Sequence, residues 1–290
     1  MKSALVSIVM PSLNQARFLP QALDSVLQQD HADLELIVAD GGSSDGTLDI
    51  LRERSAADPR LRWFSEQDNG PAQALNRAMA KARGTLLGWL NADDLYAPGA
   101  VRRAVEALQR HPQWALVYGH GNHIDEAGRQ IAPYPTLPPD GPIERFKAGC
   151  FICQPTMFFR QTVPLLLGPL DETLKASFDF DWWVRAFAAF PSRIGFIDAM
   201  QALSRLHADG ITARQRRTVA LEGMRILAGT FGTAPVHWLT TYLEETTGAP
   251  ADQRPADLAT HFTQTLEEAA PFLSAEDVRL LRENIMRRFA

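Results

Sequence analysis

The chain has 290 residues, of which 46% are hydrophobic and 22% charged; these ordinary values exclude a disordered or fibrous chain and leave ample length for a core without disulfide or structural metal. With 29 Lys+Arg against 34 Asp+Glu and a net charge of -5, it lacks the cationic excess of a nucleic-acid binder, while a small anionic ligand stays compatible. Two cysteines are too few for a disulfide framework, and the start MKSALVSIVMPS lacks the apolar length of a signal peptide, so a cytoplasmic protein is expected.

Residues 5–10 (LVSIVM) read as a buried strand, and Phe18, Leu19, Ala22, Leu23, Val26 and Leu27 recur behind it at helical spacing. A second strand is predicted over 34–39 (LELIVA), then the turn-rich DGGSSDG, a helix from Thr47 and a short strand over 61–64. A helix over 71–82 stops near Gly84, followed by a strand over 85–90 (TLLGWL), a proline-opened helix over 98–109 and a strand over 114–118. This alternation predicts an α/β fold with a doubly wound, mostly parallel, Rossmann-like sheet.

After His120 the rhythm breaks into a hairpin around 126–128 and the irregular PYPTLPPDGP. Residues 156–160 (TMFFR) suggest a strand, 180–190 a helix, and 193–197 and 202–206 two short strands. From Arg216 the pattern is helical to the end, interrupted by TGAPADQRP. The uncharged run 226–243 (ILAGTFGTAPVHWLTTYL) contains Pro235, His237, Gly229 and Gly232, so it reads as a buried helix pair and not a bilayer span. Peripheral contact with the inner face of a membrane stays open.

Ligands of an open parallel sheet bind beyond the carboxyl ends of its strands. There stand Pro11-Ser12-Leu13-Asn14 after the first strand, Asp40 to Asp45 after the second and Asn91-Ala92-Asp93-Asp94 after the fourth. Each alone is ordinary turn and capping chemistry; three converging on one cleft exceed what turns require. The adjacent carboxylates of Asp93 and Asp94 repel each other unless a cation lies between them, and oxygen ligands of this kind suit Mg2+ or Mn2+. Such an ion would also let an acidic cleft hold a diphosphate. Neither GxxxxGK[ST] nor a GxGxxG after the first strand occurs, which argues against a P-loop or a nicotinamide site.

The segments VSIVMPSLNQARFLPQALDSVLQQ, LELIVADGGSSDGTLDIL and SEQDNGPAQALNRAMAKARGTLLGWLNADDLYAPGAV, followed in order by PTMFFRQ, GPLDETL, SFDFDWWVRA and SRLHADGIT, resemble the successive motifs of the family 2 glycosyltransferases over roughly residues 6–212. The resemblance implies the GT-A fold and inverting transfer from a nucleoside diphosphate sugar, expected to be UDP-linked, to a saccharide or lipid-linked saccharide acceptor in polysaccharide or glycolipid assembly. By the same resemblance, Pro11, Ser12 and Asn14 line the nucleotide pocket, Asp40 bonds the base, and Asn76 and Asn91 face the nucleotide sugar. Asp93 holds the divalent ion on the diphosphate with Asp94 in support, and His207 lies near the metal. Asp179 or Asp181 supplies the catalytic base; about 200° apart on a helix, only one of them can face the cleft, and Asp179 is the better match to the family's acid pair.

Three positions depart from the family pattern: Gly41 where a second acid is common, Asn91 where the first Asp of D-x-D stands, and Phe178 where many relatives have Glu. Cys150-x-x-Cys153 lacks the further ligands that tetrahedral zinc needs and reads as core. Trp182 and Trp183 read mainly as core, with stacking on an acceptor sugar the alternative. Arg214, Arg216 and Arg217 form a solvated basic face or one that meets phosphates. The resemblance assigns 1–215 to the catalytic domain, with a donor half of about 1–120 and an acceptor half of about 121–215; 216–290 is a C-terminal helical region for which self-association is open. A metal-dependent nucleotidyltransferase would carry a glycine-rich basic loop after the first strand, and PSLNQARF has none. A non-catalytic sugar-nucleotide-binding module would be expected to shed the acids retained here.

Overall fold

The computed structural model of the protein describes residues 4–289. Two compact units divide it, the first comprising Met1–Ile143 and Cys150–His207, the second Glu144–Gly149 and Ala208–Ala290.

In the first unit, strands β1 (Val6–Ser12), β2 (Leu34–Asp40), β3 (Leu61–Ser65) and β4 (Leu86–Trp89) alternate with helices α1 (Leu19–Leu27), α2 (Thr47–Ala57) and α3 (Pro71–Ala80). There follow β5 (Leu95–Tyr96), α4 (Ala100–Arg110), β6 (Leu116–Ile124), β7 (Gln130–Pro133), β8 (Phe158–Arg160), α5 (Thr162–Leu167), α6 (Phe178–Ala189) and β9 (Ile194–Arg205). The sheet runs β3-β2-β1-β4-β8-β6-β9-β5, with β7 on β6. β3, β2, β1 and β4 are mutually parallel, β8 is antiparallel to both its neighbours, and β6 and β9 are again parallel.

All seven residues of β1 and of β2 are buried, as near-continuous apolar strands covered on both faces must be. Chain order reverses between β1 and β4, and a crevice at such a switch point is where this architecture takes its ligands. The predicted strands over 193–197 and 202–206 are one strand, β9: its pairing with β6 slips at Gly119, His120 and Gly121, and that irregularity hides Asp198 to Gln201 from a period-2 reading. Short α5 and two-residue β5 escape prediction because neither is long enough to show a period.

The second unit is helical: α7 (Ile211–Arg214), α8 (Arg216–Phe231), α9 (His237–Gly248), α10 (Leu258–Ala269) and α11 (Ala275–Phe289). The uncharged run is split between α8 and α9, and no helix among the described residues is long and apolar enough to cross a membrane. Gly223 allows α8 to meet Trp238 of α9, since a Cβ there would lie 2.4 Å from the indole ring. Arg217 donates to Thr265 Oγ1 at 2.9 Å and pairs with Glu268 at 2.8 Å, and Arg216 pairs with Glu245 at 3.5 Å. Two of the three arginines of the basic cluster are thus engaged within this unit.

Candidate active site

Parallel register sets Ser12 beside Asp40 and Asp40 beside Ser65 at the carboxyl ends of β1, β2 and β3. Asp40 is buried and accepts the Gly42 and Ser43 N–H groups, each at 2.9 Å, the Ser43 hydroxyl at 2.5 Å and the Ser65 hydroxyl at 2.7 Å. Four neutral donors satisfy it without any cation. Pro11 and Ser12 are buried, and the Ser12 hydroxyl has no hydrogen-bond partner among the described residues. Asn14 adopts φ 52°, a left-handed conformation its short amide tolerates. It ties the two loops together: its N–H donates to Ser43 Oγ at 2.7 Å and its Oδ1 accepts from the Ser44 N–H at 2.9 Å.

Gly41 stands against the Asp68 carboxylate, which would have to shift for a side chain there. A Cβ there would lie 2.7 Å from Asp68 Oδ2, so the second acid of this corner comes from the loop after β3. Burial, and more weakly the Asp40 charge, raise the Asp68 carboxyl above its usual range, opposed by the Gly70 N–H and Arg77. Asp68 was not singled out from sequence; its only signal was membership of the SEQDNGP segment.

Beyond β4 the chain turns at Asn91 to Asp94. Asp93 faces His207, with Nε2 2.9 Å from Asp93 Oδ2; the His207 side chain is 2% exposed, that of Asp93 20%. The His207 Nδ1 is buried without a hydrogen-bond partner among the described residues, and the ring meets Phe18 edge-on at 4.8 Å. Asp94 is buried and accepts the Arg205 N–H at 2.8 Å. Burial, and then the neighbouring Asp93 charge, push its carboxyl well above the usual range. Arg205, two residues before His207 in the SRLHADGIT segment, holds the whole turn. It donates to the Asp93 carbonyl at 2.8 Å, to the Asp125 and Glu126 carbonyls at 3.0 and 2.9 Å and to Gln21 Oε1 at 2.8 Å.

These residues fit a hard divalent cation in one respect: a carboxylate and an imidazole are side by side, and one ring nitrogen is buried and unpartnered. Among the described residues no group of three or more His, Cys, Asp or Glu could hold a metal ion; Mg2+ and Mn2+ are ions that keep waters and share oxygens with a phosphate ligand. Asp94, expected in support, instead has its carboxylate turned to the Arg205 backbone.

Asp179 and Asp181 open α6 and part company there. Asp181 bonds Arg185 one turn on, at 2.7 Å, and Arg185 donates to the Leu167 and Pro169 carbonyls at 2.8 and 3.0 Å, so this acid anchors the helix. Asp179 lies toward Cys150 and Tyr134: burial first, and then the Asp179 charge, push the Cys150 thiol up to about 12. Burial likewise raises Cys153, so neither is a thiolate at neutral pH. Trp182 and Trp183 are fully buried, which leaves no ring face for a sugar. Asn76 bonds the segment ahead of α6. Its amide donates to the Leu170 carbonyl at 3.0 Å and to Glu172 at 2.9 Å and accepts the Leu170 N–H at 3.0 Å, fixing the segment that leads into α6.

The sequence profile described as Glycosyl transferase family 2 matches residues 7–163. The chondroitin synthase of Escherichia coli is 31% identical over 182 residues, 62% of this chain and 26% of that protein. A PGL/p-HBAD biosynthesis glycosyltransferase of Mycobacterium bovis is 32% identical over 190 residues, 65% of this chain and 72% of that one. The chain spans about a third or less of the length of the first curated relatives it matches. Among solved structures, S. aureus TarS 1–349 in complex with UDP-GlcNAc aligns with TM-score 0.67 and 16% identity over 98% of this chain and 88% of that one. The mannosyltransferase PcManGT of Pyrobaculum calidifontis, in complex with GDP-Man and Mn2+, aligns with TM-score 0.60 and 18% identity over 100% and 82%. The fold expected from the motifs, GT-A, is the one these neighbours share.

Proposed function

The chain belongs to glycosyl transferase family 2, and on that premise we propose that it moves a sugar, with inversion, from a nucleoside diphosphate sugar to an acceptor hydroxyl. The observation that carries this is the Asp93–His207 pair at the same end of the sheet as Ser12 and Asp40. Ser12, Asp40 and the Asn14-braced loop contact the nucleoside, and Asp93 with His207 faces the diphosphate. Those two residues would hold Mg2+ or Mn2+, which supplies Lewis-acid stabilisation of the charge on the departing diphosphate.

Asp179, the better match to the family's acid pair, serves as the base, and Asp181 bonds Arg185 along the helix. Its carboxylate takes the acceptor hydroxyl's proton as that oxygen bonds the anomeric carbon and the bond from carbon to diphosphate oxygen breaks. Such proton transfer contributes roughly 10²–10⁴-fold. Asn76 positions the 170–172 turn ahead of α6. A UDP-linked donor and a saccharide or lipid-linked saccharide acceptor, in polysaccharide or glycolipid assembly, complete the reading; the similarity to a chondroitin synthase, to a PGL/p-HBAD biosynthesis glycosyltransferase and to the UDP-GlcNAc complex of TarS supports that direction. The catalytic residues fall within 1–215, and 216–290 is an accessory helical part.

A thermal-shift panel tests this directly, since a ligand that binds only the folded state raises the midpoint. UDP-glucose, UDP-N-acetylglucosamine and GDP-mannose are each measured with and without Mn2+. One donor stabilising only in the presence of Mn2+ is expected; no stabilisation by any of them sinks the proposal, and stabilisation by GDP-mannose alone replaces the UDP assignment.

A further inference from the structure

Asn91 occupies the place where the family's first metal-motif acid is common, and its surroundings explain the amide. The indole Nε1–H of Trp89 lies 2.9 Å from Asn91 Oδ1. An indole N–H only donates, so the atom facing it is the amide oxygen and the opposite edge carries the NH2. That NH2 donates to Gln154 Oε1 at 3.0 Å and reaches Asp94 Oδ2 at 3.4 Å. Gln154 Nε2 in turn donates to the Trp89 carbonyl at 3.0 Å. Residues 89, 91 and 154 thus close a hydrogen-bonded triangle in which every donor finds an acceptor. An aspartate at 91 would keep the bond from Trp89, lose both outgoing donors and add a third carboxylate beside Asp93 and Asp94.

The same indole reaches the other side of the site. Trp89, buried at the end of β4, stacks on Phe178 with centroids 5.6 Å apart and planes 18° apart, and meets Trp183 at 6.0 Å. Phe178 is the residue immediately before Asp179. One rigid aromatic ring therefore touches, through its N–H, the turn that carries Asp93 and, through its face, the first turn of the helix that carries Asp179.

We infer that Trp89, Asn91 and Gln154 are positioning residues that set the spacing between the Asp93 turn and Asp179, so that Asn91 acts through the fold and not as a donor ligand. The inference rests on the glycosyltransferase reading above and assigns Phe178 a reason of its own: it is the face on which the Trp89 ring registers α6. Transfer depends steeply on the placement of reacting groups, and an error of about 1 Å can cost about 10²-fold, whereas donor binding at Ser12, Asp40 and Asp93 needs only one side of the clamp.

The test compares wild type with Trp89→Phe, which keeps the stack and removes the N–H, Gln154→Leu, which opens the triangle, and Asn91→Asp. Release of UDP from UDP-N-acetylglucosamine, or of GDP from GDP-mannose, is followed with Mn2+ and an acceptor saccharide panel. Expected is a kcat lowered roughly 10- to 100-fold in Gln154→Leu and Asn91→Asp, with donor KM within about twofold, and a smaller loss in Trp89→Phe because the stack survives. Equal kcat in all three, or a rise in donor KM with kcat intact, overturns the clamp while leaving an active wild type and its glycosyltransferase reading standing. A wild type that releases nucleotide from neither donor removes that reading and the clamp with it. Slow solvent exchange of the Trp89 indole N–H, identified by its loss in Trp89→Phe, supports the triangle independently of activity; fast exchange contradicts it.

Discussion

The two ends of the sheet hold acids in opposite condition. At the start of β2, Glu35 is 4% exposed and answered by cations: Arg62 and Arg83 both bond its Oε2 at 2.9 Å, and the Ser7 hydroxyl and the Arg83 N–H bond its Oε1 at 2.7 Å. Burial alone would raise that carboxyl, yet these partners outweigh it and hold it at about 2. At the other end, Asp40, Asp93 and Asp94 have no Lys or Arg side chain bonded to their carboxylates among the described residues; hydroxyls, backbone N–H groups, an amide and one histidine answer them. Even Arg205 spends its guanidinium on carbonyls there. Both ends bury acids, and only one completes the charge from within. The end left acidic is the one where the fold takes ligands, and a divalent ion with its diphosphate is the partner that would complete it.

If that contrast is right, mutations at the two ends should separate rate from stability. The largest effect expected is on rate: Asp179→Asn should lower transfer about 10²–10⁴-fold with the Mn2+-dependent thermal shift by donor intact. Asp181→Asn should cost stability through the lost Arg185 pair and leave kcat near wild type; the reverse pattern in steady-state kinetics would move the base to Asp181.

Next in size, and purely on stability, is Glu35→Gln, which leaves two arginines facing a neutral group and should cost about 3 kcal/mol in urea unfolding. Its pH dependence has a fixed sign. A carboxyl held at about 2 when folded and near 4.5 when unfolded stabilises fully above pH 4.5, and that contribution fades as pH falls toward 2. The variant should therefore lose most of the wild-type slope between pH 4.5 and 2; an unchanged acid limb would show that Glu35 is not where the acid sensitivity resides.

His207→Ala comes third: by analogy with residues that orient metal ligands, Mn2+ affinity should weaken about 10–100-fold, read as the Mn2+ concentration needed for donor stabilisation. An unchanged titration would remove His207 from the ion's surroundings.

Much of this was legible in the residues because the relevant signals are local. Largely apolar runs at 34–39, where Glu35 is the one charge, and at 85–90 declare strands buried on both faces, and polar turns at their ends mark the cleft without any tertiary information. What stayed hidden depends on partners far away in sequence. Asn76 looks like a ligand until Leu170, 94 residues on, takes its amide. Arg205 and Gln154 belong to no local pattern, because what they hold is a turn more than 60 residues away.

The smallest effect is the sharpest test of the contrast. Asp94 is buried beside Asp93 and accepts one backbone N–H through Oδ1, a bond that an asparagine oxygen can also accept. Asp94→Asn keeps that acceptor, removes a carboxylate to which no Lys or Arg side chain bonds among the described residues, and places an NH2 toward Asn91, whose own NH2 also points there. The relief of repulsion and the new donor clash nearly offset each other, so stability should change by no more than about 1 kcal/mol. The same chemical change, carboxylate to amide, thus costs severalfold more at Glu35 than at Asp94. Equal losses at both sites in urea unfolding would mean that Asp94 is as fully answered as Glu35, and the case for a cation at the carboxyl end of the sheet would then rest on Asp93 and His207 alone.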